Sequence, residues 1–106
     1  MFIEVKEHCP VARTLDIIGD RWTILILRDL LGNEARRFQD LETSLRGISP
    51  STLSARLKNL EEHGIVTRRI YEEHPPRAEY VLTPKGRELG PAMRALQVWG
   101  QKHTSA

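Results

Sequence analysis

The sequence predicts an α+β domain, mainly α with a small β-hairpin, and three observations carry that expectation. Apolar residues recur at helical spacing over 10–31 and again over 38–63. β-favouring residues then cluster at 65–71 and 80–82 around a turn that holds two prolines. A capping threonine followed by a proline, Thr83-Pro84, reopens a helical pattern that runs toward the C-terminus.

Taken in order, Val11, Leu15 and Ile18 lie on one helical face, Gly19 and Asp20 interrupt it, and Trp22, Leu25, Ile26 and Leu30 resume it, so two helices are expected. Gly32 and Asn33 supply a stop, after which Phe38, Leu41 and Leu45 mark a short third helix ending near Gly47. Ser49 offers its hydroxyl as an N-cap, and Pro50 suits the first helical turn because its missing N–H needs no partner there. Leu53, Leu57 and Leu60 form the apolar stripe of this fourth helix, which should stop at Gly64. Ile65, Val66, Thr67, Ile70 and Tyr71 then oppose Tyr80, Val81 and Leu82 in a hairpin. Its connection, Glu72 to Arg77, contains Pro75 and Pro76, which remove backbone donors and are expected to stiffen a projecting, extended tip. The last helix, about 84–102, has Leu89, Met93, Leu96 and Trp99 as apolar positions and an expected kink at Pro91.

A chain of 106 residues, 40% of them hydrophobic, suffices for one compact core and not for two, so residues 1–106 read as a single domain. Its one cysteine cannot form an intrachain disulfide, and no basic segment followed by a long apolar stretch stands at the N-terminus. A reduced, cytoplasmic protein is therefore expected. The densest apolar run, Ile24 to Leu27, ends at Arg28 and Asp29, far short of the roughly 20 residues a membrane helix needs, so no membrane partner is expected. A net charge of +2 says little by itself, but the charges are unevenly placed. No acidic residue lies between Glu42 and Glu61, where Arg46, Arg56 and Lys58 are basic, and a second basic group follows in Arg68, Arg69, Arg77, Lys85 and Arg87.

Two short helices joined by a tight turn, about 38–63 together, and followed at once by a hairpin over about 65–83, have the order of a winged helix-turn-helix that binds double-stranded DNA. At about 100° per residue, the leucine stripe of the fourth helix turns Ser51, Thr52, Ala55, Lys58 and Asn59 outward. Small side chains let a helix backbone sit deep in the major groove, hydroxyls and amides meet base edges, and cations meet phosphates. Arg56 falls on the flank of the stripe, where it is expected to hold a phosphate, with an internal pairing to a glutamate as the alternative. On the wing, His74, Pro75 and Pro76 precede Arg77, which is expected to enter the neighbouring minor groove or clamp the backbone. A merely solvated helix face is the plain alternative for any one of these side chains; their place just ahead of a wing favours DNA.

These residues also carry a resemblance. Cys-Pro-Val at 9–11, Ile-Gly-Asp-Arg-Trp-Thr at 18–23, Arg-Phe at 37–38, Gly-Ile-Ser at 47–49, Arg-Leu-Lys-Asn-Leu-Glu at 56–61, Pro-Pro-Arg at 75–77 and Glu-Tyr-Val-Leu-Thr at 79–83 are, in this order, similar to the HxlR family of bacterial winged helix-turn-helix regulators. The resemblance runs from about Cys9 to Gly100 and implies a transcriptional regulator, by family habit a repressor. It implies a homodimer on a two-fold related operator, with the helix that starts at Ser49 in the major groove and the turn at 75–77 as the wing. It implies an interface made by the first and last helices, about 9–18 and 84–102, so that Val11, Leu15, Met93, Leu96 and Trp99 would meet the partner. Ser51 departs from the basic or amide residue often found there. Several members of the family respond to oxidants or electrophiles through a cysteine at the place of Cys9, which makes an oxidant or small-molecule effector an expectation here.

The residues support parts of that picture on their own. Leu89, Ala92, Met93, Ala95, Leu96, Val98 and Trp99 cover more of the last helix than one small core needs, and surplus apolar surface calls for a partner. Cys9 stands beside His8 at the start of the first helix, a setting that favours a thiolate, although a free cysteine is more often a small packed hydrophobe. His8, His63, His74 and His103 are scattered with no ligand pair at helical spacing, so no metal site and no cofactor are expected. No phosphate loop or nucleophile elbow occurs, and no enzymatic activity is expected. The competing function is a winged-helix adaptor that binds protein and no DNA; it should carry large apolar side chains outward on the fourth helix, where this sequence has none.

Overall fold

A computed structural model describes residues 8–106; residues 1–7 of the domain expected over 1–106 lie outside the described residues. Helices α1 (Pro10–Ile18) and α2 (Arg21–Leu31) meet at Gly19 and Asp20, and the Asp20 carboxylate accepts the Trp22 N–H at 2.8 Å to open α2. Strand β1 (Arg36–Arg37) leads directly into α3 (Phe38–Ser44), and a short turn through Gly47 leads to α4 (Pro50–Glu62). Ser49 caps α4 as its sequence suggests, accepting the Thr52 N–H at 3.1 Å, with Pro50 in the first turn. Gly64, at φ +70, ends α4 in the left-handed conformation that glycine adopts without penalty.

The wing is formed by β2 (Val66–Glu73) and β3 (Pro76–Leu82), and the sheet order is β1-β3-β2, antiparallel throughout. β1 was not visible in the sequence: it is two arginines long, and its partners Tyr80 and Glu79 lie far along the chain. The expected extended tip over 72–77 is instead a tight turn, with Glu73 paired to Pro76 and a cis peptide bond between His74 and Pro75. Pro76 fits the start of a strand because it needs to donate no ladder hydrogen bond there. The pairing register slips between Ile70 and Glu72, so the hairpin bends at Tyr71.

The core is shared by α2, α3, α4 and the base of the wing. Ile26, Leu27 and Leu30 from α2, Leu41 from α3, and Leu53, Leu57 and Leu60 from α4 are fully buried, and Ile65, Val66 and Leu82 close the cluster. Thr83 ties the wing to the chain on either side: its hydroxyl donates to the Gly64 carbonyl at 2.6 Å and accepts the Gly86 N–H at 3.0 Å. Gly86 allows α5 (Pro84–Arg87) to lie against the wing, since a Cβ there would come within 2.3 Å of the Ile65 carbonyl oxygen.

The single kinked helix expected over 84–102 is two helices, α5 and α6 (Gly90–His103), with Pro91 in the first turn of the second. A proline inside a continuous helix would lack its N–H and collide with the carbonyl four residues back, so the helix ends and restarts. No residue of α6 is buried.

Candidate nucleic-acid interface

The helix α4 owes its orientation to its leucine stripe, which is held in the core and leaves the opposite side bare. Ser51, Ala55 and Lys58 are exposed there, as their spacing requires, while Thr52 and Asn59 are half-buried on the edge of that face. Ser54 stands among them, equally exposed, although it is not one of the residues expected on that face. The helical wheel alone could have found it, because Ser54 lies one turn ahead of Lys58. Ser49 is occupied at the N-terminus of the helix, where its hydroxyl donates to Thr52 Oγ1 at 2.9 Å besides capping the backbone.

The resulting surface is a row of small hydroxyl and methyl side chains ending in a cation. Arg46 and Lys58 carry no ion pair among the described residues, and no acidic residue stands in the first turn of α4. Such a face can approach a polyanion without first breaking internal pairs.

Arg56 is held within the fold at one atom. Its Nε lies 3.0 Å from Oδ2 of Asp20, an ion pair across the α2–α4 contact, so its internal partner is an aspartate and not the glutamate of the alternative reading. The cause is tertiary: the flank of α4 packs beside the N-terminus of α2, where the capping carboxylate is already fixed by the Trp22 N–H, the Thr23 N–H and the Thr23 hydroxyl. Burial pushes the Asp20 carboxyl up, but the hydrogen bonds from Thr23 and Trp22, with Arg56 after them, outweigh it and hold the group below its ordinary 3.8. Because the folded value is the lower one, the pair is intact at neutral pH and is lost only as pH falls through that depressed value.

On the wing, His74, Pro75, Pro76 and Arg77 are all exposed at the tip. Arg77 is less free than its position suggested, since its Nε lies 3.0 Å from Glu72 Oε1. Both side chains are more than half exposed, however, and a pair so open to water is weak enough for a phosphate to replace the carboxylate. Arg69 is bound more firmly, with its Nε 2.9 Å from Glu79 Oε2. The second basic group is therefore partly neutralised by glutamates inside it, and among its members Arg68, Lys85 and Arg87 have no ion pair among the described residues, Lys85 donating instead to the His63 carbonyl at 2.7 Å.

The first and last helices leave a second surface. Leu15 is 55%, Leu96 57% and Trp99 62% exposed, Val11 is also exposed, and Met93 is half-buried. Cys9 is the N-cap of α1, half-buried, with its Sγ accepting the Ala12 N–H at 3.5 Å. Among the described residues, no group of histidine, cysteine and carboxylate side chains could hold a metal ion, and no helix is long and apolar enough to cross a membrane.

Comparison with known proteins agrees with this geometry. The chain is 44% identical over 97 residues to the HTH-type transcriptional regulator sll1512 of Synechocystis sp., covering 92% of this chain and 71% of that one. The oxidized form of the redox regulator HypR superposes with a TM-score of 0.85 at 34% identity, covering 92% of this chain and all of HypR. The reduced form of the transcriptional regulator YodB from B. subtilis superposes with a TM-score of 0.75 at 32% identity, covering 90% and 93% of the two chains. With the family's sequence pattern matched over residues 17–106, the chain belongs to the HxlR-like helix-turn-helix family of transcriptional regulators.

Proposed function

We propose that the protein is a homodimeric repressor that binds a two-fold related operator in double-stranded DNA, inserting the exposed face of α4 into the major groove and laying the tip at Arg77 along the neighbouring backbone or minor groove. The observation that carries this reading is the α4 surface itself: Ser51, Ser54, Ala55 and Lys58 stand outward with no carboxylate among them, directly ahead of an exposed wing. An adaptor that docked protein through the same helix would need large apolar side chains at those positions. Selection of bound sequences from random duplex DNA tests the reading. The expected product is an inverted repeat whose half-sites are separated by about one helical turn of DNA. Recovery of no enriched sequence would discard it.

Support for the dimer comes from the bare apolar side chains of α1 and α6, and from an apolar groove of about 680 Å³ between α2 and α6, lined in part by Ile24, Leu25, Met93 and Leu96.

Two of the similar structures are of redox-responsive proteins by name or treatment, HypR as a redox regulator and YodB after diamide. Cys9 belongs to the same helix as Val11 and Leu15, so a thiol adduct or an intersubunit disulfide there would act directly on the dimer contact. Diamide is expected to release the wild-type protein from its operator and to leave Cys9→Ser bound, as read by a mobility shift. Equal release of both would remove the thiol from the response.

A further inference from the structure

The Asp20 carboxylate divides its work between its two oxygens. Oδ1 accepts the backbone N–H groups of Trp22 at 2.8 Å and Thr23 at 3.4 Å, and so completes the N-terminus of α2. Oδ2 takes the Thr23 hydroxyl and faces Arg56 Nε at 3.0 Å. Arg56 Nε is sealed from solvent and is not aligned for a hydrogen bond, yet 38% of the side-chain surface is exposed, so the exposure falls on its other atoms. A guanidinium presents five N–H donors in a rigid fork, and holding it at Nε leaves the terminal pair free to bind. Arg56 also lies one position beyond Ala55, at the edge of the face assigned to the major groove, where a duplex seated on α4 brings its phosphates.

We propose that Asp20 is a positioning residue for DNA recognition: from the N-terminus of α2 it fixes the Arg56 guanidinium at the rim of α4, so that one phosphate beside the groove meets a donor already in place. This rests on the reading of α4 as the DNA-facing helix. A free arginine would reach that phosphate from many conformations on any duplex; one held by Asp20 reaches it in a single register, the one in which α4 also meets its bases. The pair therefore acts on discrimination between operator and random DNA more than on affinity for DNA in general.

Asp20→Asn separates this role from capping, because asparagine caps a helix as well as aspartate does while losing the charge that holds Arg56. Binding of the full-length protein to its selected operator and to a random duplex of equal length, measured by fluorescence anisotropy, is expected to show the ratio of the two affinities falling about tenfold, with random binding unchanged or stronger because a negative charge has gone. Arg56→Lys keeps the cation without the fork and is expected to lose discrimination to a similar degree, which covers the case in which Asp20→Asn folds poorly. Thermal melting of each variant places the change in binding rather than in folding.

An unchanged ratio in folded Asp20→Asn, with both affinities raised, would show Asp20 to be only a competitor for Arg56 and would overturn the proposal. Full discrimination by Arg56→Lys would overturn it as well. A native protein that failed to prefer its selected duplex over random DNA would remove the DNA-binding reading itself, and this inference with it.

Discussion

Ser51→Glu is expected to lower operator affinity by about two orders of magnitude or more while leaving the fold as stable as before or slightly more so. Ser51 is exposed in the first turn of α4, two residues after the Ser49 cap, and no acidic side chain occupies that turn. A carboxylate there interacts favourably with the positive end of the helix dipole, by about 0.5 kcal/mol. In a DNA complex the same charge would face phosphates and the electronegative floor of the groove, where like-charge juxtaposition costs several kcal/mol and each 1.4 kcal/mol is about a factor of ten in affinity. The two effects have opposite signs, so a loss of binding cannot be a loss of folding. Anisotropy titration beside a thermal melt reads both; undiminished affinity would take the N-terminus of α4 out of the interface.

Trp99→Ala is expected to weaken the dimer by about two to three orders of magnitude. Trp99 is 62% exposed, its ring tilted by 41° against the His103 ring with centroids 4.9 Å apart, so the monomer draws little packing energy from it. Truncating a tryptophan at the centre of an interface costs about 2 kcal/mol or more, and two-fold symmetry makes the loss twice, once from each subunit. Operator affinity should fall in parallel at protein concentrations below the new dimer dissociation constant, because two half-sites then bind separately. Sedimentation equilibrium that finds the variant dimer as tight as the wild type would place Trp99 outside the contact.

Much of the fold was readable because its signals are local. The Ser49-Pro50 and Thr83-Pro84 pairs announce helix starts through hydroxyls and a missing N–H, and both hydroxyls are found capping, onto Thr52 and Gly86. The Leu53, Leu57 and Leu60 stripe defines which side of α4 is hidden, and hence which side is offered to a partner. β1 was not readable, since two arginines become a strand only because β3 runs alongside them. The break at Pro91 was visible as a proline, but whether the helix would bend there or stop was not.

The first four helices and the hairpin after them, the face of α4 turned to solvent and the apolar excess on the last helix are all written in the chain alone. Each of these comes from residues within a turn or two of one another, through helix period, capping and turn chemistry. The pairings of Arg56 with Asp20 and Arg77 with Glu72 arise only in the folded molecule. A charged side chain chooses its partner by distance in space, and the distance from α4 to the N-terminus of α2 is created only when the two helices close around their shared leucines and isoleucines.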